Sequence, residues 1–513
     1  MASHEVQDTV EVNSSEVTSS PYRNLFAGLA NSVVSALVGL AVVPLYIKYL
    51  GIESYGLVGF FIAMQGVLQI FDMGLAPTIN REVARYTAME NIAGVGRLLH
   101  TLAIVYWCMA LLMALLIVVM APAIAGYWLN PQQLTRDTVV HAVMLMGLIM
   151  SCHWPIALYQ GALIGAQRLV IASVISIVVT CVSCLGAIAI LAFVSPTISA
   201  FFVWQVCVAV IHVGCMRWGA WKAVGYSKNN CFDGNELKRI WRFSAGMSGV
   251  TISGLVLMQL DKVILSRILT LEDFGRYMLA GTVAGGLYVI LTPTFNVLYP
   301  RLSALVFREE VHELTSLYRT GTRLFSAVLF PVATVAVFYS QQILTLWTQN
   351  PSFAASTASV VSLFLIGTTL NGTMHFPYAL QLAFGMTRLP LVINMILMAV
   401  MIPLTIIFAL KYGVVGGAAA WAVLNGIYLV IGTTVTHRAL LIGFGVQWLL
   451  MDVGMPLVLS LFVVLGSGSI ITKSGLSYVT EIFAGVLFAV MAFILIVLFS
   501  PDLKKYIRRM LQG

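Results

Sequence analysis

The segment YLGIESYG at residues 49–56 recurs as ILTLEDFG at residues 268–275. A second pair follows in register, because HWPIALYQ at residues 153–160 resembles HFPYALQ at residues 375–381. Both pairs are separated by about 220 residues. Repetition at a fixed distance indicates that each copy folds as a similar unit. The sequence therefore predicts two related halves.

The composition is that of a membrane protein. Of 513 residues, 60% are hydrophobic and 9% are charged, whereas soluble domains carry about 25% charged residues. A spanning helix needs about 20 mostly apolar residues, and such stretches recur from Leu25 to Ser500. The predicted fold class is therefore an all-α polytopic membrane protein with about fourteen transmembrane helices. The predicted spans are residues 24–47, 55–79, 98–125, 138–164, 170–193, 197–220, 243–267, 274–298, 321–343, 356–383, 389–410, 414–436, 447–470 and 479–500.

Arginines at matching positions support the repeat. Arg81 and Arg301 are 220 residues apart, and so are Arg168 and Arg388. Six predicted spans separate matching positions, so both halves enter the membrane in the same sense. Transporters with such repeats bind their substrates at the interface of the two halves, around an axis along the membrane normal. We expect two pseudo-symmetric six-helix lobes around a central cavity, with two extra C-terminal helices.

Lysines and arginines predict the orientation, because cytoplasmic loops retain them. With the N-terminus inside, 21 of the 28 basic residues fall on the inner face and six on the outer face. Both termini are therefore expected in the cytoplasm, and topology rather than nucleic-acid binding explains the net charge of +8. The predicted domains are a disordered cytoplasmic tail (1–20), an N-terminal lobe (21–225), a basic cytoplasmic linker (226–242), a C-terminal lobe (243–440), helices thirteen and fourteen (441–500) and a basic cytoplasmic tail (501–513).

Several function classes are excluded by what the sequence lacks. It has no GxxxxGK[ST] phosphate loop and no inner segment long enough for a nucleotide-binding domain, so ATP hydrolysis is excluded. No outer loop extends much beyond about 20 residues, where a glycosyltransferase or polymerase is expected to carry catalytic structure. The seven cysteines lack the spacing of a metal site or a disulfide framework. We therefore expect a transporter rather than an enzyme, with no metal and no cofactor.

Polar stripes on three predicted helices are candidates for the lining of a cavity. Gln65, Gln69 and Asp72 lie on one face of the second helix, because positions i, i+4 and i+7 coincide around a helix. Asn31 belongs to a similar stripe on the first helix, and Tyr288 to one on the eighth. Small and polar residues also pack helices together in membranes, so both interpretations are open. We expect helices one, two, seven and eight to line the cavity.

Ionisable groups are costly within the hydrocarbon layer and usually face a cavity or a partner. Of the 20 acidic residues, only Asp72 and Asp261 are predicted clearly inside a span. Lys262 follows Asp261, but neighbouring residues on a helix do not face each other. We expect Lys262 to extend to the outer interface while Asp261 faces inward.

His153 and His375 occupy matching positions, each two residues before a proline. Proline kinks a helix and frees carbonyl groups, so each histidine is either a structural cap on a kink or a protonatable site. The second interpretation is open because histidine titrates near neutral pH. Asn371, His375 and Tyr378 share one helical face, which favours a cavity position for the second copy.

Arg81 and Arg301 lie at the inner ends of faces that we predict to line the cavity. The positive-inside rule accounts for many such arginines, but these two are matched by the repeat. A pair of cations at the inner mouth suits a diphosphate, for which arginine offers a planar bidentate fork.

Longer segments resemble a known transporter family. The first helix opens near RNLFAGLANS, the second carries FDMGL and ends in NREVARY, and the seventh continues as QLDKVILSRILTLEDFGRY. Over roughly residues 20–500, this pattern resembles the Wzx-type polysaccharide and O-antigen flippases. These share a superfamily with the multidrug and toxin extrusion transporters and the lipid II flippase. Ser266 stands where glycine is common in the family.

The resemblance implies a flippase of the bacterial inner membrane. Its substrate would be an undecaprenyl-diphosphate-linked oligosaccharide, which alternating access coupled to a proton or sodium gradient would move to the outer leaflet for O-antigen or surface polysaccharide synthesis. A monomer suffices, and polysaccharide assembly proteins are implied as further partners. The alternatives are a multidrug and toxin extrusion antiporter, a lipid II flippase and, among enzymes, an O-antigen polymerase or ligase.

Site residues follow from the motifs and the stripes together. The resemblance makes Asp72 of FDMGL and Asp261 of QLDK candidates for ion coupling or gating, beside His153 and His375. The residues expected to bind substrate are Arg23, Arg81 and Arg301 for the diphosphate, and Asn31, Gln65, Gln69 and Tyr288 for the sugars.

Overall fold

The computed structural model describes residues 21–72, 75–89, 91–224, 232–441, 443–472 and 476–512. Regular secondary structure within these ranges is helical throughout. The helices are α1 (Pro21–Leu50), α2 (Ile52–Leu68), α3 (Leu75–Ala88), α4 (Ile92–Ala123), α5 (Arg136–Gly165), α6 (Leu169–Phe193), α7 (Ile198–Val224), α8 (Gly234–Ile268), α9 (Leu271–Gly285), α10 (Tyr288–Phe307), α11 (Val311–Phe338), α12 (Ser340–Thr348), α13 (Pro351–Thr373), α14 (His375–Ala383), α15 (Arg388–Leu440), α16 (Gly445–Gln447), α17 (Met455–Thr472), α18 (Tyr478–Leu498) and α19 (Pro501–Gln512). The predicted tail at residues 1–20 and the first part of the predicted linker lie outside the described residues.

Eleven helical runs among the described residues are long and apolar enough to cross a membrane. A helix lies at each predicted span, and the second span is divided among α2, the 3-10 turn Gln69–Asp72 and α3. The eleventh and twelfth spans form one 53-residue run, α15, which is interrupted at Gly413 with φ 59° and ψ −138°. An unbroken run would be about 80 Å long, whereas the hydrocarbon core is about 30 Å thick. The fold class is confirmed, and the number of fourteen spans stays a prediction.

Two segments at predicted domain edges are helical. Helix α8 begins at Gly234, within the stretch 226–242 that we predicted as a linker. Helix α19 occupies the predicted basic tail and docks through Leu503, which is buried in a cluster with Ala327 and Ile496. Helix α19 docks through apolar contacts with α11 and α18. The basic composition of the tail gave no sign of these contacts.

The packing of helices repeats between the two halves. In the first half (α1–α7), α1 packs on α6, α4 on α5, α3 on α5 and α5 on α7. The corresponding pairs in the second half (α8–α15) are α8 with α15, α11 with α13, α10 with α14 and α13 with α15. Hydrogen bonds tie two of these pairs, from Asn394 to Ser253 (3.1 Å) and from Asn371 to Asn425 (2.8 Å). The sequence repeat therefore corresponds to a repeated arrangement of helices.

The two copies of the repeated motif pack directly on each other where α2 crosses α9. Gly56 ends the first copy and Gly275 ends the second. A Cβ atom at Gly56 would meet the carbonyl group of Leu271, and one at Gly275 would lie 2.5 Å from the carbonyl oxygen of Ile52. Because the opposing atoms belong to the backbone, glycine at both positions permits the close approach of the two helices.

The helices beyond the repeat pack on the second half. Helices α17 and α18 both contact α11. Phe338 at the end of α11 lies against Gly468 of α17, and the neighbouring Tyr339 lies against Gly485 of α18. These close contacts hold the two C-terminal helices to the side of the second half.

Gly56→Ala is expected to destabilise the protein, because the added Cβ meets backbone atoms of α9 that no side-chain rotation can move. Overpacking of this kind costs about 1–3 kcal/mol. The matched control is Gly39→Ala in α1, where a Cβ would have no atom within 4 Å. Thermal unfolding in one detergent should give a lower midpoint for Gly56→Ala and an unchanged or higher midpoint for the control. Equal midpoints would contradict the close crossing.

Candidate functional site

The loop between α4 and α5, residues 129–135, closes one end of the molecule, which we term the closed end. Glu53, in the first turn of α2, is 4% exposed. Its carboxylate accepts hydrogen bonds from the backbone N–H groups of Gln132 (2.5 Å) and Gln133 (2.8 Å). A buried carboxylate needs such donors to offset the loss of its hydration. The loop is thereby held on the start of α2.

The same loop also binds the second half. The side chain of Asn130 donates to the carbonyl oxygens of Arg267 (2.9 Å) and Leu269 (3.4 Å). In return, the Leu271 N–H donates to the Asn130 carbonyl oxygen (3.1 Å). The loop therefore bridges both copies of the repeated motif, at the end that the predicted topology places on the outer face.

Ser266 adds a side-chain bond to this bridge. Trp128, the residue before the loop, donates from Nε1 to the Ser266 hydroxyl oxygen (3.0 Å), and that hydroxyl donates to the Val263 carbonyl oxygen (2.9 Å). A glycine at position 266 would offer no acceptor to the indole. The serine therefore joins α8 to the end of α4.

Asp261 is buried in α8, and both of its carboxylate oxygens have partners. Tyr277 of α9 donates its hydroxyl to Oδ2 (2.5 Å), and Lys262 Nζ lies 3.2 Å from Oδ1. The lysine also donates to the Met258 carbonyl oxygen. The expectation that Lys262 extends away from Asp261 is therefore wrong. Its flexible stem lets the ammonium curl back to a carboxylate that would otherwise be buried without a counter-charge.

Gln65 and His153 meet between α2 and α5. Gln65 Nε2 lies 3.0 Å from His153 Nδ1, so a predicted sugar-binding residue and a predicted ion-coupling residue share one hydrogen bond. The His153 ring also stands edge-on to His212 of α7, with 6.4 Å between centroids. The sequence reasoning missed His212, although a titratable residue inside the predicted sixth span was a usable signal.

His375 has different surroundings from its repeat counterpart. The helix is interrupted between α13, which ends at Thr373, and α14, which begins at His375. His375 Nδ1 lies 3.3 Å from the Asn371 carbonyl oxygen. The ring packs edge-on against Tyr288 and Phe295, with centroid distances of 6.4 and 5.9 Å. This geometry is that of a structural cap on a helix break, one of the two interpretations left open by the sequence.

Arg301 lies on the wall of a cavity of about 600 Å³ between the end of α10 and the start of α11. Arg308 and His312 line the same cavity, and Glu313 is the one acidic side chain in its described lining. Leucines supply much of the remaining wall. Arg81 is not in this lining, so the predicted pairing of Arg81 with Arg301 stays a prediction.

The remaining predicted site residues divide into those with described side chains and those without. Gln69 and Arg81 are exposed. Asn31 is half-buried, and its Oδ1 atom has no hydrogen-bond partner among the described residues. The side chains of Arg23 and Asp72 lie outside the described residues.

A buried ion-pair network joins α11 to the C-terminal helices. Asp452, in the π-helical turn before α17, is fully buried. It accepts from Arg319 Nε (3.0 Å) and Arg323 Nε (2.6 Å), both on α11. Arg323 also pairs with Asp502 of α19 (3.0 Å). The network therefore fixes α17 and α19 to the same helix.

The prediction that only Asp72 and Asp261 lie clearly inside a span is wrong. Asp452 and Glu481 fall within the predicted thirteenth and fourteenth spans, and both are buried. Glu481 accepts a hydrogen bond from Gln342 Nε2 (3.0 Å). The predicted span boundaries already included both residues. Each of these buried acids has a partner, as expected for ionisable groups within the hydrocarbon layer.

Asp452→Asn is expected to destabilise the protein, because Arg319 and Arg323 lose the fully buried carboxylate that they share, and Arg323 keeps only the more exposed Asp502. Removal of one partner from a buried ion pair costs about 3–5 kcal/mol. Asp273→Asn is the control, since Asp273 pairs with Arg276 (2.8 Å) at a more exposed position, where a pair contributes about 0–1 kcal/mol. The thermal midpoint in detergent measures both. A loss for Asp452→Asn no greater than for the control would contradict a stabilising network.

Glu53→Gln is expected to loosen the closed end, because an amide oxygen accepts hydrogen bonds less strongly than a carboxylate. The measurement is the rate at which a membrane-impermeant maleimide labels Gln132→Cys in an otherwise cysteine-free protein. Labelling should be faster with Glu53→Gln than with Glu272→Gln, the motif-matched acid, which pairs with Arg276 instead. Equal labelling rates would show that Glu53 does not hold the loop.

Comparison with known proteins finds relatives that are named as transporters or flippases. A Shigella flexneri protein named "Putative O-antigen transporter" is 22% identical over 406 residues, which cover 78% of this chain and 94% of that protein. The inward closed conformation of the lipid II flippase MurJ superposes with a TM-score of 0.70 at 15% identity, covering 93% of this chain and 99% of MurJ. An inward-facing multidrug resistance MATE transporter gives a TM-score of 0.65 at 14% identity, covering 81% of this chain and 98% of that protein. At these identities the two structures establish the fold alone.

A protein family completes the comparison. The family described as "Polysaccharide biosynthesis protein" matches residues 22–306, which is more than half of the chain. The relatives are named as transporters or flippases rather than enzymes, in agreement with the exclusion of an enzyme. The resemblance seen in the sequence is thereby confirmed. The chain is a helical membrane protein that belongs to the polysaccharide biosynthesis protein family.

Proposed function

We propose that the protein is a flippase that moves an undecaprenyl-diphosphate-linked oligosaccharide across the bacterial inner membrane for O-antigen or surface polysaccharide synthesis. The observation that carries the proposal is the match to the Shigella flexneri protein, which extends over 94% of that relative. A match of this extent spans both halves rather than one module. Both termini would lie in the cytoplasm, and a monomer would contain the whole pathway.

Alternating access needs two halves that can separate at one end while they close at the other. Here the halves meet at the crossing of α2 and α9, and the α4–α5 loop bridges them at the closed end. A neutral hydrogen bond contributes about 0.5–1.5 kcal/mol net, and one to a charged group such as the Glu53 carboxylate about 1.5–3 kcal/mol. A bridge of a few such bonds can therefore break without unfolding either half. Access from the opposite end would load substrate from the inner leaflet.

The diphosphate needs cationic partners, because moving an unpaired anion out of water is costly. Arg301 and Arg308 place two guanidinium groups on one cavity wall, and each can bind phosphate through paired N–H donors. Arg81 is exposed at the matching position of the first half. With Arg23 as a further candidate from the sequence, these arginines would hold the headgroup while the polyprenyl tail stays in lipid.

The sugars need hydrogen-bonding groups and aromatic faces. Asn31 supports this role, because its buried amide oxygen has no partner among the described residues. Gln69 is exposed and equally available. Gln65 and Tyr288 each contact a histidine. These two residues would have to give up their contact with the histidine in order to bind a sugar hydroxyl group.

Ion coupling or gating is proposed for Asp72, Asp261, His153 and His375. Asp261 joins α8 to α9 through Tyr277, so a change in its charge would act on the helix that crosses α2. This position suits gating, because it links a titratable group to the contact between the halves.

A second candidate is a multidrug and toxin extrusion antiporter, favoured by the shared fold with the MATE transporter. Its substrates would be amphipathic cations, whereas the cavity at Arg301 is lined by two arginines and one acid. Drug susceptibility of a deletion strain distinguishes this candidate. Lipid II flipping, suggested by the fold shared with MurJ, would make the gene essential for growth.

Deletion of the gene is expected to remove surface polysaccharide and to accumulate the lipid-linked precursor in the inner leaflet. Re-expression of Arg81→Gln/Arg301→Gln should fail to restore the polysaccharide, because the diphosphate loses two cations. The measurements are surface glycan, extracted lipid-linked glycan and protein level in the membrane.

The control is Arg97→Gln/Arg388→Gln, which also removes one exposed arginine from each half of the predicted inner face. It should restore the polysaccharide. Full restoration by Arg81→Gln/Arg301→Gln would overturn the diphosphate assignment. Unchanged polysaccharide with altered drug tolerance in the deletion strain would favour the antiporter.

A further inference from the structure

Gln65, His153 and His212 form a polar cluster in the first half, at mid-membrane depth in the predicted second, fourth and sixth spans. Gln65 Nε2 lies 3.0 Å from His153 Nδ1. The two imidazole rings are 6.4 Å apart between centroids, with 86° between their planes. Ionisable residues at this depth are costly and usually take part in ion or substrate pathways.

His212 has a ring nitrogen without a partner. Its Nε2 atom is buried and forms no hydrogen bond within the part of the chain that the structure describes. A buried polar group left in this way costs about 1–3 kcal/mol. A nitrogen in this state is open to a ligand such as a water molecule or a proton.

Few charged groups compete for this cluster. Among the described residues, His212 is the titratable group whose charge acts on His153, and Cys152 precedes His153 on α5. The charged residues of α2, α4, α5 and α7 lie toward the ends of those helices: Glu53, Arg97, Arg136, Asp137, Arg217 and Lys222. The charged residues of α3 are Arg81, Glu82 and Arg85, and α3 packs at the end of α5, where Asn80 and Val83 lie against Gly165. Two adjacent imidazolium ions repel each other, so the pair holds one proton more readily than two.

The repeat supplies an internal comparison. His375 is capped on the Asn371 carbonyl oxygen and enclosed by the rings of Tyr288 and Phe295. Among the described residues, the rings that contact His375 are those of Tyr288 and Phe295, and neither is an imidazole. The two halves therefore carry the same residue in two different chemical settings.

Protonation would change the bond between α5 and α2. With the amide nitrogen of Gln65 toward Nδ1, the neutral His153 ring accepts at that atom. A proton from water forms an N–H bond at an unprotonated ring nitrogen, and an imidazolium donates at both nitrogens. Gln65 must then turn its amide oxygen toward the ring. Release to water on the other side breaks the same N–H bond, and no further reactant is needed.

We propose that His153 and His212, with Gln65, form a proton-binding site, and that a proton is the coupling ion of this transporter. The proposal rests on the proposed ion-coupled function. Proton uptake is transmitted through Gln65 to α2, the helix that crosses α9. His375 lies outside this proton-binding site, so its proposed part is in gating.

The test uses purified full-length protein in liposomes adsorbed on a solid-supported membrane, with no glycan present. A pH step should displace charge as the site takes up or releases its proton. His153→Gln and His212→Gln should each lose this displacement. His141→Gln should retain it, because His141 is an exposed histidine on the same helix as His153.

A second variant separates proton binding from a packing effect. Gln65→Glu places a carboxylate beside His153 and should raise the midpoint by about one pH unit or more, because an opposite charge favours the imidazolium. Displacement that survives both His153→Gln and His212→Gln, an unmoved midpoint in Gln65→Glu, or displacement by a sodium step alone would overturn the proposal. Precursor accumulation in the deletion strain is scored separately, so the flippase function can stand when the proton site fails.

Discussion

The contact that the rest of the structure depends on is the crossing of α2 and α9 at Gly56 and Gly275. Each glycine ends one copy of the repeated motif, and each faces backbone atoms of the other copy. A side chain on either would force the helices apart, together with the halves that they belong to. Because equivalent copies of the motif meet each other there, the crossing lies at the interface between the two repeat-related halves. It therefore joins the halves beside the further contacts that α8 makes with α2, α3 and α4.

Buried acids supply the next constraint, because each must find a partner in a medium where unpaired charge is costly. Glu53 takes two backbone N–H groups of the α4–α5 loop, Asp261 takes Tyr277 and Lys262, and Asp452 takes two arginines. These partners come from different elements in most cases. The acids consequently tie together segments that apolar packing alone leaves unspecified. The bridge at Glu53 uses only hydrogen bonds from a loop, so it is the most easily broken of the three.

Hydropathy and the internal repeat predicted the fold class and the pairing of the halves, because both depend on spacing along the chain. Contacts between helices could not be predicted in the same way. The position of His212 opposite His153 depends on how α5 and α7 turn toward each other. The position of the Lys262 ammonium beside Asp261 depends on the side-chain rotamer, which helical geometry does not determine. The burial of Asp452, in contrast, was predictable, because this residue lies inside the predicted thirteenth span.

The halves share a scaffold but differ in chemistry. Here His153 meets a second imidazole while His375 caps a helix break. Arg301 shares a cavity with Arg308, and Arg81 is absent from it. In the proposed mechanism the His153–His212 pair of the first half binds the proton, and the α2–α9 crossing is the contact through which it would act on the second half.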